Sequence, residues 1–232
     1  MPRITLPSPE SMAPDQRRVY DRIVSGPRGR IQGPLRAALH NAELADRWQA
    51  LGELLRYRTT LTPRQSELAI LVTGRACNSP FEWYAHRLEA EKVGIEPQVI
   101  EAILAQVGPE GLSDDDAAIV SYATELNRFK SVADATYADA LARFGERRLV
   151  ELTALVGYYT MVAMTLNCHE IPLPDGVEPH YNRLTDLLMM VVPGGRCRSE
   201  AEFRKLFADA GMSVTRVIDT RTSNFILEAM VR

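Results

Sequence analysis

Cysteine is scarce in this chain. There are three in 232 residues, Cys77, Cys168 and Cys197. They are far apart, odd in number and form no CxxC, which argues against a secreted disulfide framework and against a cysteine-based zinc site. Long apolar runs are lacking too. The longest, Leu187–Pro193, falls far short of the roughly 20 residues that span a bilayer. Residues 1–15 carry prolines at 2, 7, 9 and 14 and no apolar stretch, so they read as an extended arm and not as a signal peptide. Clustered positive charge is missing as well: the formal net charge is −3. Arg17, Arg18, Arg28 and Arg30 are local and diluted by acids, so the footprint of a nucleic-acid binder is absent. These absences point to the cytoplasm, with neither a membrane nor a nucleic acid as partner.

What remains is an ordinary globular composition, 46% hydrophobic and 25% charged, enough for a core of normal size. Helical periodicity starts near Pro14 with Val19, Tyr20 and Ile23, and breaks at Ser25-Gly26-Pro27. Residues 41–58 place Leu44, Trp48, Leu51, Leu54 and Leu55 at helical spacing. Thr62 is an N-cap with Pro63 at the first helical position, opening a helix to about Ala76. Ser79 opens another, ended near Gly94. Further helices are expected over 98–106, 114–129, 134–144 and 146–166. The hexapeptides beginning at Glu67 and Glu151 (Glu-Leu-Ala-Ile-Leu-Val and Glu-Leu-Thr-Ala-Leu-Val) suggest an internal duplication.

Composition shifts at Pro172–Pro179, read as a linker. Domains are therefore expected at 1–178 and 179–232. Beyond the linker, Tyr181–Val192 is apolar, Gly194-Gly195 is a turn, and Ser199 caps a helix over 200–210. Val214–Asp219 and Asn224–Val231 read as two strands around a turn at 220–223. The fold class is mainly α, a helical bundle with a small α/β appendage of one helix and a hairpin.

The stretch 64–94, RQSELAILVTGRACNSPFEWYAHRLEAEKVG, carries the chemistry. Glu67 sits on an apolar helix. A short turn, Cys77-Asn78-Ser79, reverses the chain. The next helix sets Glu82 and His86 four residues apart on one face. The hairpin can pack Glu67 against that face, joining two carboxylates and an imidazole, a set suited to proton transfer. Each residue also has a plainer explanation. Ser79-Pro-Phe-Glu82 spells a capping box, in which the glutamate reaches back to the serine. Glu67 could pair with Arg64 or Arg75. His86 could be a satisfied core or surface histidine. Trp83 and Tyr84 fit a core as readily as a substrate platform, and Cys77 fits an inert small hydrophobe.

The segments Glu67-Leu-Ala-Ile-Leu and Phe81-Glu82-Trp83, with His86, Ala90 and Gly94, resemble the carboxymuconolactone decarboxylase and alkylhydroperoxidase D-like family over residues 10–178. Leu39-His40-Asn41, Gly157-Tyr158-Tyr159 and Leu166-Asn167 support the likeness. Peroxidase-type members carry a CxxC ahead of the histidine. By spacing, Ser79 and Glu82 stand at those two positions here, so the redox pair is missing. The Glu-Trp-x-x-His form is instead similar to decarboxylase-like members, which need no cofactor and no metal. The resemblance implies His86 as proton shuttle and Glu67 and Glu82 as its partners. Arg75 is the expected holder of a substrate carboxylate, and Trp83, Ser79 and His40 are expected to line the substrate site. The substrate would be a small carboxylated lactone, a keto acid or a related biosynthetic intermediate. The resemblance also implies a homo-oligomer. The rival readings are a peroxidase-branch antioxidant protein and a non-catalytic scaffold that binds a partner through its tail.

The tail itself resembles the C-terminal end of small-molecule O-methyltransferases, through Asp186–Val192, Gly194-Gly195-Arg196, Glu202-Phe203-Arg204 and Ala210-Gly211-Met212. The glycine-rich loop that would hold S-adenosylmethionine is absent, so the tail is read as a fused remnant for packing, assembly or partner binding.

Overall fold

The computed structural model describes residues 2–174, 177, 200–219 and 225–231. The chain divides into two compact units, Met1–His180 and Tyr181–Arg232.

In the first unit the described helices are α1 (Pro14–Ser25), α2 (Pro34–Ala38), α3 (Ala42–Tyr57), α4 (Pro63–Ala76), α5 (Pro80–Lys92), α6 (Pro97–Ala105), α7 (Asp114–Phe129) and α8 (Asp134–Cys168). Local chemistry explains the starts. Asn41 accepts from the Leu44 amide and Ser113 from the Asp116 amide. Thr62 and Gln65 form a reciprocal capping box at α4, which satisfies amides a helix start leaves open. The acidic first turn of α7, Asp114–Asp116, complements the helix dipole. Gly145, at φ 71° and ψ 167°, breaks α8 into two helical stretches. That conformation favours glycine, and it falls where the sequence expectation separates 134–144 from 146–166. The short α2 has no counterpart in the sequence reading, because five residues are too few for a periodicity.

α4 is the central helix and packs against α5, α7 and α8. Ten consecutive residues, Gln65–Gly74, are buried. Leu68 and Leu71 are fully enclosed, each worth about 1.5–3 kcal/mol of burial. A helix buried on all sides must pair its polar side chains internally. Thr73 Oγ1 donates to the Ala69 carbonyl at 2.8 Å and accepts from Asn127 Nδ2 at 3.0 Å. Glu67 is the one carboxylate on this buried stretch, and its pairing defines the site described below.

α8 is long and apolar enough to cross a membrane by length and composition, a property that a count of unbroken apolar runs misses. Half of its most apolar window is buried inside the protein. Leu152, Leu155, Val156, Tyr159, Val162, Ala163 and Leu166 all lie in the core, so it is a core helix of the bundle. The Glu151 copy of the repeated hexapeptide does not reproduce the Glu67 environment. Its carboxylate accepts from the Thr60 amide at 2.7 Å and from the Thr60 hydroxyl at 2.6 Å, tying α8 to the loop before α4.

In the second unit, α9 (Glu200–Asp209) precedes an antiparallel hairpin of β1 (Met212–Asp219) and β2 (Phe225–Val231). The register runs from Met212 opposite Val231 to Asp219 opposite Phe225, with an irregularity between Val214 and Arg216. The mainly α class with a helix-plus-hairpin appendage is thus what the chain adopts. Tyr181–Val192, Gly194-Gly195, Ser199 and the turn at 220–223 lie outside the described residues.

Candidate active site

α4 and α5 form a tight hairpin, and the closeness of the two helices depends on Gly74. A Cβ at that position would stand 3.2 Å from Glu82 Cβ. The start of α5 then works differently from the sequence expectation. Ser79 makes no side-chain cap bond, and its amide donates instead to the Gly74 carbonyl at 2.9 Å. The expected capping box does not form, because the amide that Glu82 would have satisfied is already taken. Glu82 turns toward His86.

Three side chains converge. His86 Nδ1 lies 2.7 Å from Glu67 Oε2, and His86 Nε2 lies 3.6 Å from Glu82 Oε2. All three residues are buried. The short contact has the geometry of a charge-assisted hydrogen bond; the longer one is out of hydrogen-bonding range. A carboxylate accepts, so Nδ1–H donates to Glu67, and that bond fixes Nε2 as the nitrogen facing Glu82. Glu82 Oε2 has no hydrogen-bond partner. Burial pushes the Glu82 carboxyl above its ordinary value. The His86 and Arg56 charges act the other way, Glu67 reinforces the rise, and Arg28 opposes it. The structure therefore places a carboxyl biased toward its acid form beside an imidazole oriented by a second carboxylate.

Around this trio lie groups that the sequence reading did not select. Arg56 Nη2 is 4.0 Å from Glu67 Oε1. Burial works against its charge, but Tyr159, Tyr57, Glu67 and Glu89 outweigh it and raise its value. The Tyr159 ring meets the His86 ring edge-on at 4.9 Å. Burial drives the Tyr159 hydroxyl well above its usual range, so it stays a neutral hydrogen-bonding group. Tyr158 is raised by burial too, with the Arg28 charge opposing. Gly52 makes room for both Tyr158 and Arg28: a Cβ there would lie 2.5 Å from Arg28 Nη2 and closer still to Tyr158 Oη. Glu82, His86, Arg28, Arg56, Tyr158 and Tyr159 share a cleft of about 550 Å³, in the size range of small-molecule sites. Arg30 and Lys92 add positive charge to its walls.

The expected substrate-binding residues are placed less favourably. Arg75 is pinned to the Leu104 carbonyl at 2.6 Å and to Asn78 Oδ1 at 2.7 Å, and it lines a different cavity. His40 is exposed and bonds the Thr5 carbonyl at 2.8 Å, tying down the N-terminal arm. Trp83 and Ser79 are core residues at 1% and 0% exposure, and neither lines the cleft. Closeness in sequence misled for Arg75: it lies one residue after Gly74 but leaves α4 toward α6. Arg28 carried no usable signal, since it follows Pro27 in an irregular loop. Tyr158 and Tyr159 did carry one, as two hydroxyls inside an apolar helix that would need polar surroundings once buried. Cys77 is half-buried, and burial pushes its thiol up, away from the thiolate that attacks peroxide. Among the described residues, no group of three or more His, Cys, Asp and Glu side chains could hold a metal ion.

Comparison with known proteins agrees with this architecture. Residues 42–125 match the carboxymuconolactone decarboxylase family. A peroxidase-related protein from Silicibacter sp. TM1040 superposes with a TM-score of 0.64 at 14% identity, covering 78% of this chain and 95% of its own. The alkylhydroperoxidase AhpD core protein from Ralstonia eutropha JMP134 gives a TM-score of 0.63 at 13% identity, over 75% and 93%. The debrominase Bmp8, in a variant bound to 2,3,4-tribromopyrrole, gives a TM-score of 0.62 at 10% identity, over 74% and 91%. At such identities these likenesses establish a shared AhpD-like fold. Separately, 60 residues (26% of this chain) are 40% identical to the phenazine O-methyltransferase PhzM of Lysobacter antibioticus, of which they span only 18%. That is the enzyme class the tail resembles.

Proposed function

We propose, from the match of residues 42–125 to the carboxymuconolactone decarboxylase family, that this chain is a cofactor-independent acid–base enzyme. It acts as a decarboxylase, lyase or isomerase on a small carboxylated lactone, keto acid or related intermediate. The observation that carries this reading is the buried imidazole between two carboxylates, bonded to Glu67 at 2.7 Å and facing Glu82 at 3.6 Å.

Each group has a task. Glu67 holds the imidazole in one tautomer and stabilises the imidazolium when it forms. Glu82, kept toward its acid form by burial, stores the proton to be delivered. Arg28 and Arg56 hold a carboxylate that the reaction retains, as charge-assisted donors do. In a decarboxylation the C–CO₂⁻ bond breaks, and its electron pair passes into the conjugated carbonyl of the substrate. The carbon then takes a proton from Glu82, either directly or through His86 Nε2. Solvent returns a proton to Glu82. An isomerisation uses the same pair to remove a proton at one carbon and return it at another. A small-molecule substrate, a cytoplasmic setting and a homo-oligomer, with neither nucleic acid nor membrane as partner, belong to the same proposal.

The test is a panel of small carboxylated lactones and β-keto acids incubated in D₂O and followed by proton NMR. Solvent deuterium should enter the product carbon with loss of CO₂, or should mark the shifted position. His86→Gln should slow this about 10²–10⁴-fold, the usual contribution of a positioned acid–base group. Turnover that survives His86→Gln but stops in Cys77→Ser would move the chemistry to the thiol and overturn the proposal.

A further inference from the structure

We infer that the cleft around His86 is built for a planar aromatic carboxylate. The inference rests on the acid–base reading above only in taking this cleft as the substrate site. Five of the chain's sixteen Phe, Tyr and Trp residues line it: Tyr57, Phe81, Tyr84, Tyr158 and Tyr159. The separate cavity walled by α4, α6 and α7, about 450 Å³, is lined by none. Aromatic walls are a property of this site and not of the chain's cavities in general.

Tyr158 and Tyr159 are nearly enclosed, and Tyr159 meets both His86 and Tyr158 edge-on, at 4.9 and 5.3 Å. The other three present accessible ring surface. Tyr57 closes α3 and is 50% exposed. Phe81 and Tyr84 are half-buried on α5, three residues apart and so on one face, and the exposed Leu88 follows four residues on. Covering this apolar surface favours a ligand with an apolar body. The Phe81 ring is seated on bare backbone, since a Cβ at Gly33 would stand 3.0 Å from Phe81 Cε1. A ring already held in place loses little freedom on binding. Ring pairs also gain from offset or edge-on contact beyond the area they bury. A saturated body of equal size receives the burial without that contact.

Charge supplies the second half of the preference. Arg28, Arg30, Arg56 and Lys92 line the cleft against Glu82 and Glu89. Lys92 pairs with Glu89 at 2.8 Å, and Arg56 stands 4.0 Å from Glu67. Arg28 and Arg30 make no salt bridge among the described residues, and burial biases Glu82 toward its acid form. Two cations of one loop are thus left to meet an anionic group of the ligand. The Arg56 guanidinium lies 5.4 Å from the Tyr57 ring centre, so a flat ring laid against Tyr57 has a cation beside it as well.

Calorimetry on the full chain tests this with 2-naphthoate, its saturated counterpart decahydro-2-naphthoate, and the neutral 2-naphthamide. None carries the lactone or keto group that the acid–base chemistry needs, so binding is read apart from turnover. 2-Naphthoate should bind with one-to-one stoichiometry. The saturated acid should bind about two- to tenfold more weakly, the worth of ring-on-ring contact. The amide should bind at least about tenfold more weakly, the loss of a charge-assisted pair. Tyr57→Leu combined with Tyr84→Leu keeps apolar walls and should bring the two acids to equal affinity, with circular dichroism unchanged. Tyr57→Leu alone, at a half-exposed side chain, should already narrow the gap. No saturable binding of 2-naphthoate at millimolar concentration would overturn the inference. So would equal affinity of the wild type for the two acids, or an aromatic preference that survives both Tyr→Leu variants. Turnover of the lactone and keto-acid panel without 2-naphthoate binding would sink this inference alone. Binding in the expected pattern without turnover of that panel would uphold it while sinking the acid–base reading.

Discussion

Replacing Glu67 in two ways separates its charge from its hydrogen-bonding capacity. Glu67→Gln keeps an oxygen that can accept from His86 Nδ1 across the 2.7 Å contact, so the imidazole tautomer should persist. What is lost is the charge assistance of that bond, about 1 kcal/mol. The attraction to Arg56 at 4.0 Å is lost as well, a further ~0.5–1 kcal/mol once the partial exposure of that side chain is discounted. The sum is roughly 1.5–2 kcal/mol, or about 3–8 °C in Tm for a unit of this size. Glu67→Ala removes the acceptor as well. A buried Nδ1 is then unpaired, a cavity opens beside fully enclosed Leu68 and Leu71, and the cost rises to about 3–5 kcal/mol. The chain has four histidines, so nitrogen-15 labelling of histidine gives four resolvable imidazoles. Long-range proton–nitrogen correlation reads the tautomer of each. Wild type and Glu67→Gln should both show His86 protonated at Nδ1, and Glu67→Ala should show a mixture or a switch to Nε2. Identical tautomer populations in all three proteins would refute the orienting role of Glu67, whatever happens to stability.

The raised Glu82 carboxyl makes a pH prediction. A folded-state value above the unfolded one means a contribution to stability that is fully present below the ordinary carboxylate range and is lost as pH rises through the folded value. Urea titrations should therefore show Glu82→Gln, which cannot ionise, gaining on wild type as pH increases; parallel pH profiles would contradict the burial argument. Gly52→Ala should displace Tyr158 and Arg28 from their shared position, costing about 1–3 kcal/mol of stability, and should raise KM more than it lowers kcat. An unchanged KM would show that Arg28 does not bind substrate. Cys77→Ser, and alkylation of the wild type with iodoacetamide, should leave turnover within twofold of the untreated enzyme, a margin worth only about 0.4 kcal/mol. Peroxide-dependent loss of activity that tracks Cys77 would favour a thiol mechanism.

The helical frame was legible wherever periodicity and end signals coincided, as at Thr62-Pro63 and near Gly94. The trio of Glu67, Glu82 and His86 was legible because an i,i+4 pair and a short turn leave few ways to fold a hairpin. The arginines were not. Which cation faces a buried carboxylate depends on where α3 and the loop after α1 bring Arg56 and Arg28 in the folded chain, and no local pattern encodes that. Arg75 looked right by proximity and was turned elsewhere by the Leu104 carbonyl. Ser79 followed the capping-box pattern, but a backbone carbonyl from the preceding helix claimed its amide first. In both cases a tertiary hydrogen bond overrode a sound local rule.

The Gly74–Ser79 backbone bond has a consequence for how this hairpin can change. Because main chain and Pro80 together start α5, neither the Ser79 nor the Glu82 side chain is needed to begin the helix. Ser79 and Glu82 stand three residues apart at the start of α5, and Glu82 lies 3.6 Å from a histidine that Glu67 holds in place. The scaffold behaves as a socket: two positions can be exchanged for groups of other reactivity while the orienting residue, the histidine and the helix start are retained. Diversification here requires no insertion and no new backbone, only substitutions at two sites that the helix start does not depend on.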